Sequence, residues 1–514
     1  MSPLRLRPRT TALVSAALAA ALATGGCGGD PDTADDTSGP AATGHGTALR
    51  WSACPAPTTA QGGDGKAPGR AWECARLPVP LDHSRPEGEK IDLALIRSTA
   101  RDRSRRIGSL VFNFGGPGDA GVASLPLVAD KYRKLGARYD LVSFDPRGVG
   151  ESAGVRCRGD RETDAAAEID ATPDDETEVR ATLAVNKAYV EACRRNAAKV
   201  LPHVDTLSAA RDLDRLRAAL GDDKLRFFGA SYGTELGGVY AHLFPGKVGR
   251  AVLDAAVDPE QDPAQAGLDQ ARGFQLALGN YLKDCAASGP AGSCPTQDRI
   301  LALLKKLDAN PLPTSQGRKL TQDQAVVGIA TTLYSKDTWK YLTAGLREAM
   351  EQGTGNTLLL LYDDMNGRRP DGTYTSLQPS NKAISCADAE QRYTVDDVRE
   401  RLPEYREASP VFGEYAAWSL LSCTGWPVKG KWKNPDVSAK GAAPLLVIGN
   451  TGDPATPYAG ARRLAKELGD GVGVEVTYRG EGHGAYLSGN ACVVRAVDGY
   501  LLDGKVPRGG TTCS

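Results

Sequence analysis

The sequence predicts an α/β protein whose mainly parallel sheet is covered by helices on both faces, with a largely helical cap inserted into it. Three observations carry that expectation. Strand-like apolar runs alternate with stretches of helical period along most of the 514 residues. One such run passes into a helix pattern through the tight turn Gly229-Ala230-Ser231-Tyr232-Gly233. A long helical stretch then breaks the alternation, which resumes near the C-terminus.

The chain opens with Arg5, Arg7 and Arg9, followed by an apolar run over residues 12–23 and by Thr24-Gly25-Gly26-Cys27. A charged start, an apolar stretch of about a dozen residues and small residues at its end read as an export signal, residues 1–26, too short for a permanent membrane span. The residues before Cys27 resemble a lipoprotein box, with Thr24 where leucine is commoner. Ordinary cleavage after Ala21-Leu22-Ala23 is the rival reading. The cysteines favour the first: of eleven, setting Cys27 aside for lipid leaves an even number suited to disulfides in an exported protein. Residues 27–48, rich in Gly, Asp, Thr, Pro and Ala, read as a flexible tether. Losing the leader removes three arginines and no acids, which shifts the formal charge from −1 to about −4. That mild balance, without a Lys/Arg cluster, argues against a nucleic-acid partner. No later stretch is apolar enough to cross a membrane, so membrane contact is expected through the lipid alone.

Strands are expected at residues 90–97, 109–114, 139–145, 224–229, 249–254, 443–450 and 472–478. The clearest helix is 205–220, with Leu207, Ala210, Leu213, Leu216 and Leu220 on one face. The folded core is expected in two parts, 49–255 and 439–514. Residues 256–438 interrupt them as a helical cap (264–286, 298–309, 322–334, 337–352), and a smaller insertion at 153–204 adds to the rim. Internal repeats are absent.

A G-x-S-x-G pentapeptide between a strand and a helix is the nucleophile elbow, so tight that little beyond glycine fits two positions either side of the serine. Ser231 is therefore the candidate nucleophile. It needs a base, and the five histidines are His45, His83, His203, His242 and His483. With the order Ser, acid, His, only His242 and His483 come late enough. His242 lies in the elbow helix leading away from the serine and reads as an ordinary helix residue. His483, in Gly480-Glu481-Gly482-His483-Gly484 after a strand, is the candidate base. The acid is Asp453, the one carboxylate in the loop Thr451-Gly452-Asp453-Pro454-Ala455-Thr456-Pro457, where it would orient the imidazole. Thr456 is expected to support this loop by hydrogen bonding. The competing role for Asp453 is a cap on the helix starting near Tyr458. Oxyanion donors are expected from the amide of Tyr232 and from Gly115 or Gly116, which follow the strand at 109–114. A phosphate loop is excluded there, because no Gly-Lys-Ser/Thr follows. Clustered cysteines without Cys-x-x-Cys or a nearby histidine give no metal site. No cofactor is expected.

Taken together, Gly115-Gly116-Pro117-Gly118, Phe144-Asp145-Pro146-Arg147-Gly148-Val149-Gly150-Glu151-Ser152, the elbow, Gly452-Asp453-Pro454-Ala455-Thr456-Pro457 and Gly482-His483-Gly484 resemble the tripeptidyl aminopeptidase branch of the α/β-hydrolases, with prolyl aminopeptidases as cousins. Ile384-Ser385-Cys386-Ala387-Asp388 and Cys423-Thr424-Gly425-Trp426-Pro427 resemble that branch's C-terminal region. The likeness runs over residues 50 to 513. It implies an α/β-hydrolase fold and a serine exopeptidase that releases short peptides or single residues from free N-termini through an acyl-enzyme. It also implies that Asp145 and Arg147 brace the sheet and take no part in the chemistry. One departure stands out: the prolyl enzymes begin this loop with His-Gly-Gly-Pro-Gly, and Phe114 replaces that histidine. An exopeptidase must offset the desolvation of a substrate ammonium, and the resemblance places the necessary acids in the cap. Asp388, beside Cys386, is the preferred candidate, and Glu390 is the second. A carboxylesterase or lipase with the same triad is the alternative; a non-catalytic binding protein would have lost a triad member, and none is lost. Nearest-neighbour pairing of the cysteines is the economical arrangement: 54–74, 157–193, 285–294, 386–423 and 492–513.

Overall fold

The computed structural model describes residues 49–288 and 294–514. The expected signal, tether and Cys27 lie outside them. Twelve strands occur among the described residues: β1 (Ser52–Ala53), β2 (Glu73–Pro80), β3 (Lys90–Ser98), β4 (Gly108–Asn113), β5 (Tyr139–Phe144), β6 (Leu225–Ala230), β7 (Val248–Asp254), β8 (Leu312–Pro313), β9 (Lys319–Leu320), β10 (Leu445–Gly452), β11 (Gly473–Glu481) and β12 (Thr511–Cys513). Ten form one sheet in the order β1-β2-β3-β5-β4-β6-β7-β10-β11-β12, and β8 pairs with β9 in a separate hairpin. Pairing is antiparallel from β1 through β2 and β3 to β5 and parallel from there on. All seven expected strands are present.

The centre of the sheet explains itself. Every residue of β4 and β5 is buried, as parallel strands covered on both faces must be. Alternation along β4, β6 and β7 then divides the core. Val111, Phe227 and Leu253 face one layer with Leu213 and Leu236 from helices Thr206–Ala219 and Tyr232–Leu243. Leu110, Phe112, Phe228 and Val252 face the other with Leu125, Val493 and Val497 from helices Gly121–Val128 and Ala491–Asp503.

β2 was not among the expected strands, and it carries Pro78 and Pro80, residues that strands hold at edges. It forms against β3 with Pro78 opposite Asp92 and Pro80 opposite Lys90. β1 covers β2 only at Glu73 and Cys74, so the prolines sit where the outer side is an edge.

The helical stretch between β7 and β10 divides in a way its periodicity did not show. Helices Pro263–Ser288, Gln297–Ala309, Gln322–Leu333, Trp339–Arg347 and Asn356–Met365 share a separate apolar cluster. Helix Leu377–Asp388, by contrast, buries Ala383, Ile384, Cys386 and Ala387 in the same cluster as Leu236 and Val447. That helix of the expected cap is thus docked into the hydrolase core, whereas Val398, Tyr405 and Trp418 after it pack with Ala264 and Leu268 in another cluster. All five nearest-neighbour disulfides are present, and Cys386 of the docked helix pairs with Cys423.

Candidate active site

β6 hands over to helix Tyr232–Leu243 at Ser231, whose backbone stands at φ 55°, ψ −127°. Positive φ is strained for any residue but glycine, and the neighbours are shaped to permit it. A side chain at Gly229 would lie 2.2 Å from the Gly233 carbonyl oxygen, and one at Gly233 would lie 2.7 Å from that of Asn113. The Ser231 amide donates to the Asp254 carbonyl (3.0 Å). Buried Thr234 donates its hydroxyl to the Ser231 carbonyl (2.7 Å), which pins the first turn.

Asp453 is 2% exposed in the loop that closes β10. Its Oδ1 accepts the amides of Ala455 (3.0 Å) and Thr456 (2.9 Å), and its two oxygens lie 2.9 and 3.1 Å from His483 Nδ1. The helix beginning at Tyr458 has Pro457 at its cap position without a side-chain cap bond, so capping is not what Asp453 does. With Nδ1–H donated to a carboxylate, Nε2 is left as the basic nitrogen. Thr456 Oγ1 lies 3.4 Å from the same Nδ1. The cap reaches this loop too: the His483 amide donates to the Tyr334 carbonyl (2.8 Å), and the Tyr334 ring meets the imidazole edge-on at 5.2 Å. Burial pulls the imidazole pKa down, but the charge and hydrogen bond of Asp453, helped by Asp254, outweigh it and leave it raised. Among the described residues no hydrogen bond joins Ser231 to His483, a common state of such pairs before substrate arrives.

Gly115 packs directly on the candidate nucleophile: a side chain there would lie 2.8 Å from Ser231 Cβ and 3.2 Å from the Tyr232 nitrogen. Its own amide, however, is donated to Asn113 Oδ1 (3.1 Å). Gly116 lines the cavity over Ser231 together with Tyr232. Of the two glycines, Gly116 is the one whose amide is not spent inside the loop.

That cavity holds about 380 Å³ and is lined by Ser231, Glu235, Gln261, Asp388 and Trp432 among others. Asp388, 6% exposed, takes two bonds from Thr206: the amide to Oδ1 and the hydroxyl to Oδ2, each 2.7 Å. Thr206 Oγ1 also lies 2.5 Å from the Tyr232 hydroxyl. Glu390 is a correction. It is exposed, its amide is tied to the Trp432 carbonyl, and its side chain does not line the cavity, because the helix ends at Asp388 and the chain turns outward.

Glu235 is the residue that reading the sequence missed. It stands one helical turn after Ser231, on the same face of the elbow helix, and lines the cavity without a hydrogen bond or ion pair among the described residues. The i, i+4 spacing was the available signal. Burial pushes its carboxyl up to about 7. Asp388 is held well above the ordinary carboxylate range by burial first and by the Glu235 charge second, against the Thr206 bonds.

Comparison with known proteins fits this geometry. A family model described as TAP-like protein matches residues 409–513. Serine protease Hip1 of Mycobacterium tuberculosis is 37% identical over 468 residues, 87% of this chain and 88% of its own. The chain belongs to the TAP-like family of α/β-hydrolases. It is a serine hydrolase. Carboxylesterase B of the same organism is 34% identical, with 87% of each chain covered. The tripeptidyl aminopeptidase of Streptomyces lividans is 33% identical, with 86% of this chain and 83% of its own covered. Among solved structures, an epoxide hydrolase from an endophytic Streptomyces aligns at TM-score 0.37 and 14% identity, over 86% of this chain and 99% of that one.

Proposed function

We propose that this TAP-like hydrolase is an exported, lipid-anchored serine exopeptidase that removes short peptides or single residues from free N-termini. The observation that carries it is a cavity where the elbow serine shares its walls with two carboxyls, Glu235 and Asp388, neither in an ion pair among the described residues. An unpaired buried acid is costly unless a cation comes to meet it. A substrate ammonium is that cation. Its arrival favours ionisation of both carboxyls and releases the proton that burial holds in the empty site.

Chemistry follows from the candidate triad. Ser231 Oγ attacks the scissile carbonyl while His483 Nε2 takes its proton, and Asp453 holds the imidazole and stabilises the imidazolium. The amides of Tyr232 and Gly116 receive the oxyanion. His483 then protonates the leaving amine, and water attacks the acyl-enzyme with the same base. Thr456 supports the Asp453–His483 arrangement. Export is supported by the five disulfides, and Cys27 is the proposed lipid site.

A single panel tests the reading: free-amino peptides, the same peptides N-acylated, and short acyl esters. Free-amino peptides should be favoured over acylated ones by about 30-fold or more in kcat/KM, the effect of losing a buried charge partner. A serine-directed phosphonate should label Ser231, and Ser231→Ala should lower turnover by about four to six orders of magnitude. Equal turnover of acylated and free peptides, with esters fastest, would instead favour the carboxylesterase reading that one relative's name suggests. Mass spectrometry of the native protein should find a lipid on an N-terminal Cys27; a soluble product starting at Thr24 would refute the anchor.

A further inference from the structure

Between the nucleophile and the histidine lies a residue that neither motif contains. Asp254 ends β7 and is 2% exposed. Its carbonyl accepts the Ser231 amide at 3.0 Å. Its carboxyl oxygens accept the amides of Ala485 (2.8 Å) and Tyr486 (2.9 Å), the two residues after Gly484. We infer that Asp254 is a positioning residue for both halves of the reaction centre: its backbone fixes the nucleophile, and its carboxylate fixes the histidine loop. The inference rests on Ser231 and His483 being nucleophile and base.

The sheet makes this clamp available. β7 lies between β6, which ends in the elbow, and β10, which ends in the Asp453 loop. Asp254 pairs with Ala230 on one side and Ile448 on the other. Its side chain then reaches the loop after β11 and takes two amides that a turn would otherwise leave unbonded. Tyr486, held there, stacks on Tyr132 at 5.2 Å, which anchors the loop in the core.

The clamp also carries charge toward the base. The charged neighbours of His483 are Asp453 and Asp254. The phenols around them are neutral, with Tyr334 pushed up to about 12 by burial and then by Asp453, and Tyr132 and Tyr486 raised by burial first. Asp254 itself is raised by burial and by Asp453, against its two amide donors and His483. A negative charge near the imidazole favours the protonated form, so Asp254 moves the onset of activity to higher pH. Removing it should move that onset down.

Asp254→Asn tests this. The amide keeps one acceptor but turns N–H toward the Ala485 or Tyr486 N–H, and the charge is gone. Expected are a fall in kcat of about 10²-fold from loosened geometry, a nearly unchanged KM, and an acid limb of kcat at lower pH than wild type. Asp254→Ser, whose hydroxyl keeps an acceptor and can turn its hydrogen away from the amides, gives the same readout if the Asn variant does not fold. An acid limb that stays at the wild-type pH overturns the inference, whatever happens to kcat. Phosphonate labelling at Ser231 in the wild-type enzyme keeps this outcome separate from failure of the triad reading, which labelling elsewhere would reveal.

Discussion

Arg147–Asp212 in the sealed interior and Glu235–Asp388 on the cavity wall are both pairs of ionisable side chains, and they are wired in opposite ways. Arg147 has no exposed side-chain surface, and all five of its N–H groups are used. Nε and one Nη meet Asp212 at 2.6 Å each, and the rest reach the carbonyls of Leu81, His203 and Pro80 at 2.9 to 3.0 Å. Next to it Asp145 accepts Gln61 and the amides of Val122 and Glu151. That region is sealed, and it joins β2, the β5 loop and helix Thr206–Ala219. In the cavity, Asp388 is held by a neutral threonine and Glu235 by nothing among the described residues. A satisfied buried charge supports the fold, whereas an unsatisfied one beside a nucleophile is a place for something to bind.

Breaking the sealed pair should give the largest effect of the three variants that probe this contrast. Arg147→Met leaves buried Asp212 with His83 Nε2 (2.8 Å) as its one side-chain partner among the described residues and should cost about 3–5 kcal/mol of stability in urea unfolding, with turnover of peptides and esters falling together. A variant that unfolds like wild type yet loses only peptide turnover would erase the distinction between the two regions. Next comes Asp388→Asn, expected to weaken kcat/KM for free-amino peptides by about 2–5 kcal/mol and to leave acyl esters nearly untouched. Equal loss on both substrates would class Asp388 with Arg147. The smallest effect belongs to Glu235→Gln. Glu235 ionises as pH rises through about 7, and the ionised form binds an ammonium better. In the wild type, KM for free-amino peptides should therefore fall several-fold from about pH 5.5 to 7, below the range where the substrate amine loses most of its own protons. The Gln variant should lack that fall. A KM that is flat with pH in the wild type would sink the role given to Glu235.

Much of this molecule was legible before its structure. Seven strands, the elbow, the order Ser231, Asp453, His483 and the nearest-neighbour cysteine pairs all rest on local signals: periodicity, glycine at a tight turn, and motif order along the chain. Cysteine partners close in sequence meet because they lie on neighbouring segments, Cys54–Cys74 being 20 residues apart and Cys492–Cys513 21. Tertiary structure decided the rest, which depends on who lies opposite whom. Gly115 yielded to Gly116 as free donor because of where the Asn113 side chain turned. The prolines of β2 were tolerated because β1 leaves most of its outer side open. Asp388 came to the cavity through Thr206, 182 residues away, and Asp254 met Ala485 across 231 residues. Sequence pattern determines which backbone segments form. Whether a buried polar group ends up paired is set by neighbours that only folding brings together, and in this protein those pairings distinguish the brace from the site.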